Sequence, residues 1–170
     1  MDTTALLTDC YDRVRDEVHS VLSGISEKHL NERLDEETNS VGWLVWHLTR
    51  VQDDHIAAAA GLDQVWHSGG FEERFGLALP SDDTGFGHGP EDVAAVRVDS
   101  PDLLLEYHDA VHEQTLNYLR GLSPQSLGRI VDDAWDPPVT LGVRLVSVIG
   151  DDMQHAGQAA FLRGVLERRR

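Results

Sequence analysis

In "GDDMQHAGQ", residues 150–158, an aspartate and a histidine stand four positions apart inside a segment otherwise rich in Val, Leu and Ala. A helix turns by about 100° per residue, so Asp151 and His155 project side by side from one face. That projection sets them beside Leu162 and close to Val148 and Leu166, on the stripe expected to be buried, with Asp152 at the other edge. An ionised carboxylate facing a core costs several kcal/mol unless it is paired or bound to a cation. An Asp and a His at this spacing have the geometry of two metal ligands on one helix. "WLVWHLTR" offers a third donor, His47, which projects near the edge of its own apolar stripe with Trp43, Arg50 and Asp54 on the same side. Three protein ligands leave coordination positions open for water or substrate, which is the pattern of catalytic rather than structural sites.

Other pairings are open on spacing alone. A single histidine at the edge of an apolar stripe is more often a hydrogen-bonded core residue than a ligand. Asp151 could form a buried ion pair with Arg144 or Arg50. "HDAVH" sets His108 and His112 at the same four-residue spacing, although they project to the flank of their helix, where a solvated or boundary role is expected.

Four helical segments must position these groups. Residues 4–23 carry Leu6, Leu7, Tyr11, Val14, Val18, Val21 and Leu22 at spacings of three and four. A second helix opens on the capping residues of "NSVGWLVWHL" and stops at Gly61. A third starts with Ser100 as N-cap and Pro101 as first helical residue and runs to Gly121. A fourth follows "DPP", starts near Thr140 and reaches the arginine-rich end. Between the second and third lies a glycine-rich, acidic stretch holding Trp66, Phe71, Phe75 and Phe86, expected to form one or two short helices over an end of the bundle. No convincing pair of alternating strands is visible. The expected fold is all-α, a four-helix bundle with a long crossover between helices two and three, as a single domain over residues 1–170.

Composition narrows the function classes. The 170 residues carry a formal charge of −16, which repels phosphate backbones and anionic lipid, so neither nucleic acid nor membrane is an expected partner. The single cysteine, Cys10, excludes an internal disulfide and suits a reducing cytoplasm. The start "MDTTALLTDCYDRVRDE" has no apolar signal region, and no run is long enough to span a bilayer. A homodimer is compatible with all of this.

"SVGWLVWHL", "TGFGH" followed by "EDVAAVRVDSPDLLLEYHDAV", and "VTLGVRLVSVIGDDMQHAGQAAFLRG" resemble the DinB-like superfamily of metalloproteins, in particular the branch with mycothiol-dependent enzymes. The resemblance implies a divalent metal, zinc foremost and nickel as the alternative, held by His47, Asp151 and His155. Family members commonly have His, and the mycothiol-dependent branch Glu, where this chain has Asp151; the shorter acid bears on metal affinity and identity. Gln158, in the "HAGQ" element, is expected to support the site or line its mouth, with Trp43 and Asp54 as pocket candidates.

The activity implied is a thiol S-transferase, in which mycothiol activated on the metal attacks an electrophile in a detoxification role. Such a reaction needs no reactive cysteine from the protein. Isomerase relatives carry a second, C-terminal domain, which a chain ending at Arg170 does not show, so transfer ranks above isomerisation. A metal-dependent hydrolase with Asp54 or Asp152 as base, and a non-catalytic metal-stabilised bundle, are the alternatives. The crossover, with Trp66 and His67, is expected to act as a lid over the thiol pocket.

Overall fold

The computed structural model describes residues 2–169. Its long helices are α1 (Thr3–Leu22), α3 (Val41–Ala60), α7 (Pro101–Arg120) and α8 (Leu141–Arg168), and the short ones are α2 (Glu27–Asn31), α4 (Val65–Ser68), α5 (Phe71–Phe75) and α6 (Pro90–Ala95). Local chemistry sets the long-helix ends. Asp2, Ser40, Ser100 and Thr140 each accept a backbone N–H of the first turn, and Gly61 closes α3 in the left-handed region at φ 68°. A short antiparallel hairpin, β1 (Ile130–Asp132) with β2 (Val139–Thr140), links α7 to α8 after a 3-10 turn. The expectation of no strand pair is thereby corrected: the pair is too short to show an alternating pattern. The polar segment after α1 also holds a turn of helix, α2, whose Leu30 is buried.

The bundle is a ring in the order α1, α7, α3, α8. Helix α8 runs parallel to α1, with Tyr11 reaching the Leu145 carbonyl and Arg163 the carbonyls of Ser20 and Val21. It runs antiparallel to α3, where His55 meets Arg144 and His47 meets His155. Helices α3 and α7 are parallel, through Gln52 to Thr115 and Tyr118 to Ala59. Two parallel helices consecutive in the bundle's chain order need a connection that returns along the bundle, which is why residues 61–100 are long.

That crossover is pinned by charge. The carboxylate of Asp53 on α3 accepts the backbone N–H groups of Val65 and Trp66 and the hydroxyl of Tyr107, with Arg50 at 3.7 Å. Arg50 in turn donates to the Asp83 carbonyl, Gln64 and Tyr107, and its guanidinium stacks on Trp66 at 4.9 Å. Both residues are fully buried.

The apolar core falls into two clusters, one around Trp46, Leu48, Tyr107, Ala156 and Leu162, the other around Tyr11, Ile56, Leu119, Leu145 and Val148. Buried polar residues lie between them along the helices: Gln52 donates to Thr115, and Asp152 is fully enclosed. Asp152, not Asp151, is thus the core-facing acid of α8. The stripe is centred on Leu145, Val148, Asp152 and Ala159, which leaves Asp151 on its flank with 36% of its side chain exposed. Burial pushes the Asp152 carboxyl well above the carboxylate range, helped by the adjacent Asp151 charge.

Candidate metal centre

His47 comes from the second turn of α3, and Asp151 and His155 come from successive turns of α8. The antiparallel crossing brings one donor atom from each to within 4.8 Å of the others. The rings of His47 and His155 meet edge to face, 4.7 Å between centroids. His155 Nε2 stands 3.6 Å from Asp151 Oδ1, an ion-pair distance with a gap too wide for a hydrogen bond. The second Asp151 oxygen, Oδ2, is buried and accepts from nothing.

Each imidazole is oriented through its other nitrogen. A carbonyl can only accept, so the His47 Nδ1 proton points to the Thr84 carbonyl and the His155 Nδ1 proton to Gln158 Oε1 at 2.9 Å. Both Nε2 lone pairs are then free to face the cluster, the arrangement in which a second partner fixes a ligand's tautomer. Burial holds the His47 ring below its ordinary pKa and so neutral, against the opposing pull of the Thr84 bond. His155 is raised, first by Asp151. Burial pushes Asp151 up, but His155, His47 and His55 outweigh it and hold the carboxyl below its usual range.

The wall behind His47 is the segment "TGFGH". Trp43 stacks on His47 at 4.6 Å between centroids and donates its indole N–H to His88, whose other nitrogen is 3.0 Å from Asp83. Gly85, at φ 87°, passes so close that a Cβ there would lie 2.8 Å from His47 Nδ1 and 3.1 Å from the Trp43 ring. Only glycine meets both demands.

A cavity of about 500 Å³ opens beside the cluster. His47 and Asp151 form one end of it, Arg144 and His55 the other, with Val51 and Val148 along the wall. Asp54 also lines it and accepts from Gln64. Arg144 is bonded to Asp132 at 2.7 Å and to His55, and Arg50 is committed to Asp53, so neither guanidinium is the partner of Asp151.

Sequence reasoning misplaced two features here. His108 and His112 are core residues, 0% and 7% exposed, because α1 packs over the flank of α7 that carries them. His112 pairs with Asp12 at 3.0 Å, and burial pushes His108 down to about 3. The expected lid residues are elsewhere too: Trp66 is buried against Arg50, and His67 pairs with Glu72 on the surface. Thr84, Phe86 and Trp135 line the cavity instead. His55 was not singled out, and Arg144 only as a partner for Asp151, though an α3 and an α8 residue eight and seven positions from the candidate ligands fall two turns along the same antiparallel groove.

The DinB superfamily model matches residues 11–159. The chain belongs to the DinB superfamily. The crystal structure of a conserved protein from Enterococcus faecalis superposes on it with a TM-score of 0.90, at 35% identity over 96% of each chain. No curated protein matches the sequence. Among the described residues, no helix is long and apolar enough to cross a membrane.

Proposed function

We propose that this DinB superfamily member is a metal-dependent thiol S-transferase whose metal is held by His47, Asp151 and His155. One observation carries the reading: three donors converge within 4.8 Å, with both imidazole Nδ1 atoms already committed to carbonyl oxygens and Asp151 Oδ2 without a partner. A carboxylate oxygen buried without a donor is costly, and a divalent cation removes that cost. Two neutral imidazoles and one carboxylate suit zinc or nickel.

A divalent metal bound there supplies Lewis acidity that lowers the pKa of a thiol and stabilises its thiolate. The chain does the rest. Gln158 and Thr84 keep the two rings aimed at the cluster, and Trp43 shields His47 from water. The cavity admits a small thiol and a second substrate to the open side. Cys10 lies on α1 and lines no part of this cavity, so the nucleophile is a low-molecular-weight thiol. The choice of mycothiol rests on the sequence resemblance of the "WHL" and "HAGQ" elements, and the cytoplasm is the compartment that suits it.

The test is turnover of an electrophile by metal-reconstituted protein, with and without added mycothiol, beside cysteine as a second thiol. Thiol-dependent loss of electrophile supports the transferase. Turnover without thiol assigns a hydrolase instead, and stoichiometric metal with no turnover assigns a metal-stabilised bundle.

A further inference from the structure

Nine large apolar side chains are exposed among the described residues, and six of them lie on α8 or on the hairpin that leads into it: Ile130, Trp135, Val143, Val146, Met153 and Phe161. At about 100° per residue the four on α8 fall within about 80° of one another, on the side turned away from Leu145, Val148, Asp152 and Ala159. Helices α1 and α3 flank α8 and leave that side open, with Phe161 69% and Val146 65% exposed. Gly150 and Gly157 lie on the same stripe, where a Cβ would meet nothing in the chain, so no internal packing calls for a helix-weakening glycine at either. A contiguous apolar stripe left in water marks an interaction surface.

Charge and pattern narrow the occupant. With −16 on the chain and Asp12, Asp16, Glu17, Glu106 and Glu113 exposed on α1 and α7, two copies repel across those helices. The α8 stripe, edged by Ser147, Gln154 and Gln158, carries no charge. Its two ends are opposite in sign: exposed Asp133 and Asp136 make the hairpin before α8 acidic, while exposed Arg168 and Arg169 outweigh Glu167 at its close. The stripe also reads alike in both directions. About a point between Met153 and Gln154, Phe161 mirrors Val146, Gly157 mirrors Gly150, and Gly164 mirrors Val143.

We infer that this face docks a second copy of the chain, as an antiparallel pair of α8 helices about a two-fold axis. In that register Phe161 of each copy packs on Val146 of the other, Val143 fills the space left by Gly164, and the helices approach most closely where Gly150 meets Gly157. Arg168 and Arg169 of one copy reach the hairpin of the other, where Asp133 and Asp136 stand, and the symmetry repeats the pairing at the far end. A parallel pair would set arginines against arginines and aspartates against aspartates. Charge thus fixes the direction, as the apolar stripe fixes the face.

The experiment is sedimentation velocity of the full chain from about 1 to 100 μM. Val146→Lys, Phe161→Asp and an equal mixture of the two are run beside the wild type, with Leu6→Asp as an exposed apolar position on α1. All three positions are exposed, so circular dichroism should show an unchanged fold. The wild type is expected at twice the chain mass. Each α8 variant buries an unpaired charge at two symmetric places and should weaken association about 100-fold, while Leu6→Asp leaves it unchanged. In the mixture the two substitutions face each other at one contact and the native pair remains at the other, so the dimer should return. A wild type that stays monomeric throughout overturns the inference and leaves the stripe to a different protein. A dimer indifferent to both α8 variants, or equally weakened by Leu6→Asp, overturns it as well, and a mixture that stays monomeric overturns the antiparallel pairing.

Discussion

Helix α3 carries two charged clusters, centred on His47 and Asp53 nearly two turns apart, and they are finished differently. At Asp53 both carboxylate oxygens are met by donors from the chain, and Arg50 lies alongside with contacts to the Asp83 carbonyl, Gln64 and Tyr107. At His47 the donors face one another across a gap, and Asp151 Oδ2 is met by nothing. The first carboxylate is closed by the protein, with Arg50 Nη2 beside it left without a partner, and ties the crossover to the bundle. The second cluster is closed on its outer side only, by Thr84 and Gln158, and is open inward. Buried charge alone therefore does not mark a site. What distinguishes the two is whether the chain supplies a donor to both oxygens of the carboxylate: it does at Asp53 and does not at Asp151.

The comparison can be broken most directly at Asp53. Asp53→Ala strips the Arg50 guanidinium of its counter-charge and orphans two backbone N–H groups, so a loss of about 3–5 kcal/mol in folding stability is expected by denaturant titration. Asp151→Ala, by contrast, should leave the metal-free protein nearly as stable as the wild type. If Asp151→Ala costs as much as Asp53→Ala, the two clusters are the same kind of structure and the distinction fails.

Gly85→Ala gives the next largest effect. The added methyl would press on His47 Nδ1 and on two tryptophans, at a φ that disfavours any Cβ. Strain of about 1–3 kcal/mol and metal affinity lower by about 10–100-fold are expected, since the ring can no longer sit against Thr84. Unchanged affinity in a competition titration would show that the glycine wall does not position His47.

The smallest effect is on pH dependence. Asp151 has a lowered folded pKa, so its contribution is present above the ordinary carboxylate value and fades as pH falls through the folded one. His155 has a raised pKa, so its contribution is complete below the ordinary imidazole value and is lost as pH rises through the folded one. In metal-free protein the pair should therefore stabilise between roughly pH 4 and 6.5, by under about 1 kcal/mol given its partial exposure. The melting-temperature difference between wild type and Asp151→Asn should peak in that window. A difference flat from pH 4 to 9 would exclude the pair.

Much of this was legible in the sequence because it is local. The caps Ser40, Ser100 and Thr140, the stop at Gly61 and the Asp151/His155 spacing each depend on a few neighbouring residues. Which flank of a helix is covered depends instead on the ring order, and so the burial of His108 and the exchange of roles between Asp151 and Asp152 could not be read from periodicity. Arg144 was matched to Asp151 for a similar reason, since its actual partners Asp132 and His55 are 12 and 89 residues away. Trp135 sits on a hairpin of three and two residues, too short for any alternation to announce it.

The central claim is that the open cluster holds a metal. Elemental analysis of purified, tag-free wild type beside His47→Ala and Asp151→Ala tests it most directly. Near-stoichiometric zinc or nickel in the wild type, lost in both variants while their folds persist by circular dichroism, is the predicted result. A wild type that stays metal-free after reconstitution with either ion, or variants that keep their metal, would contradict it.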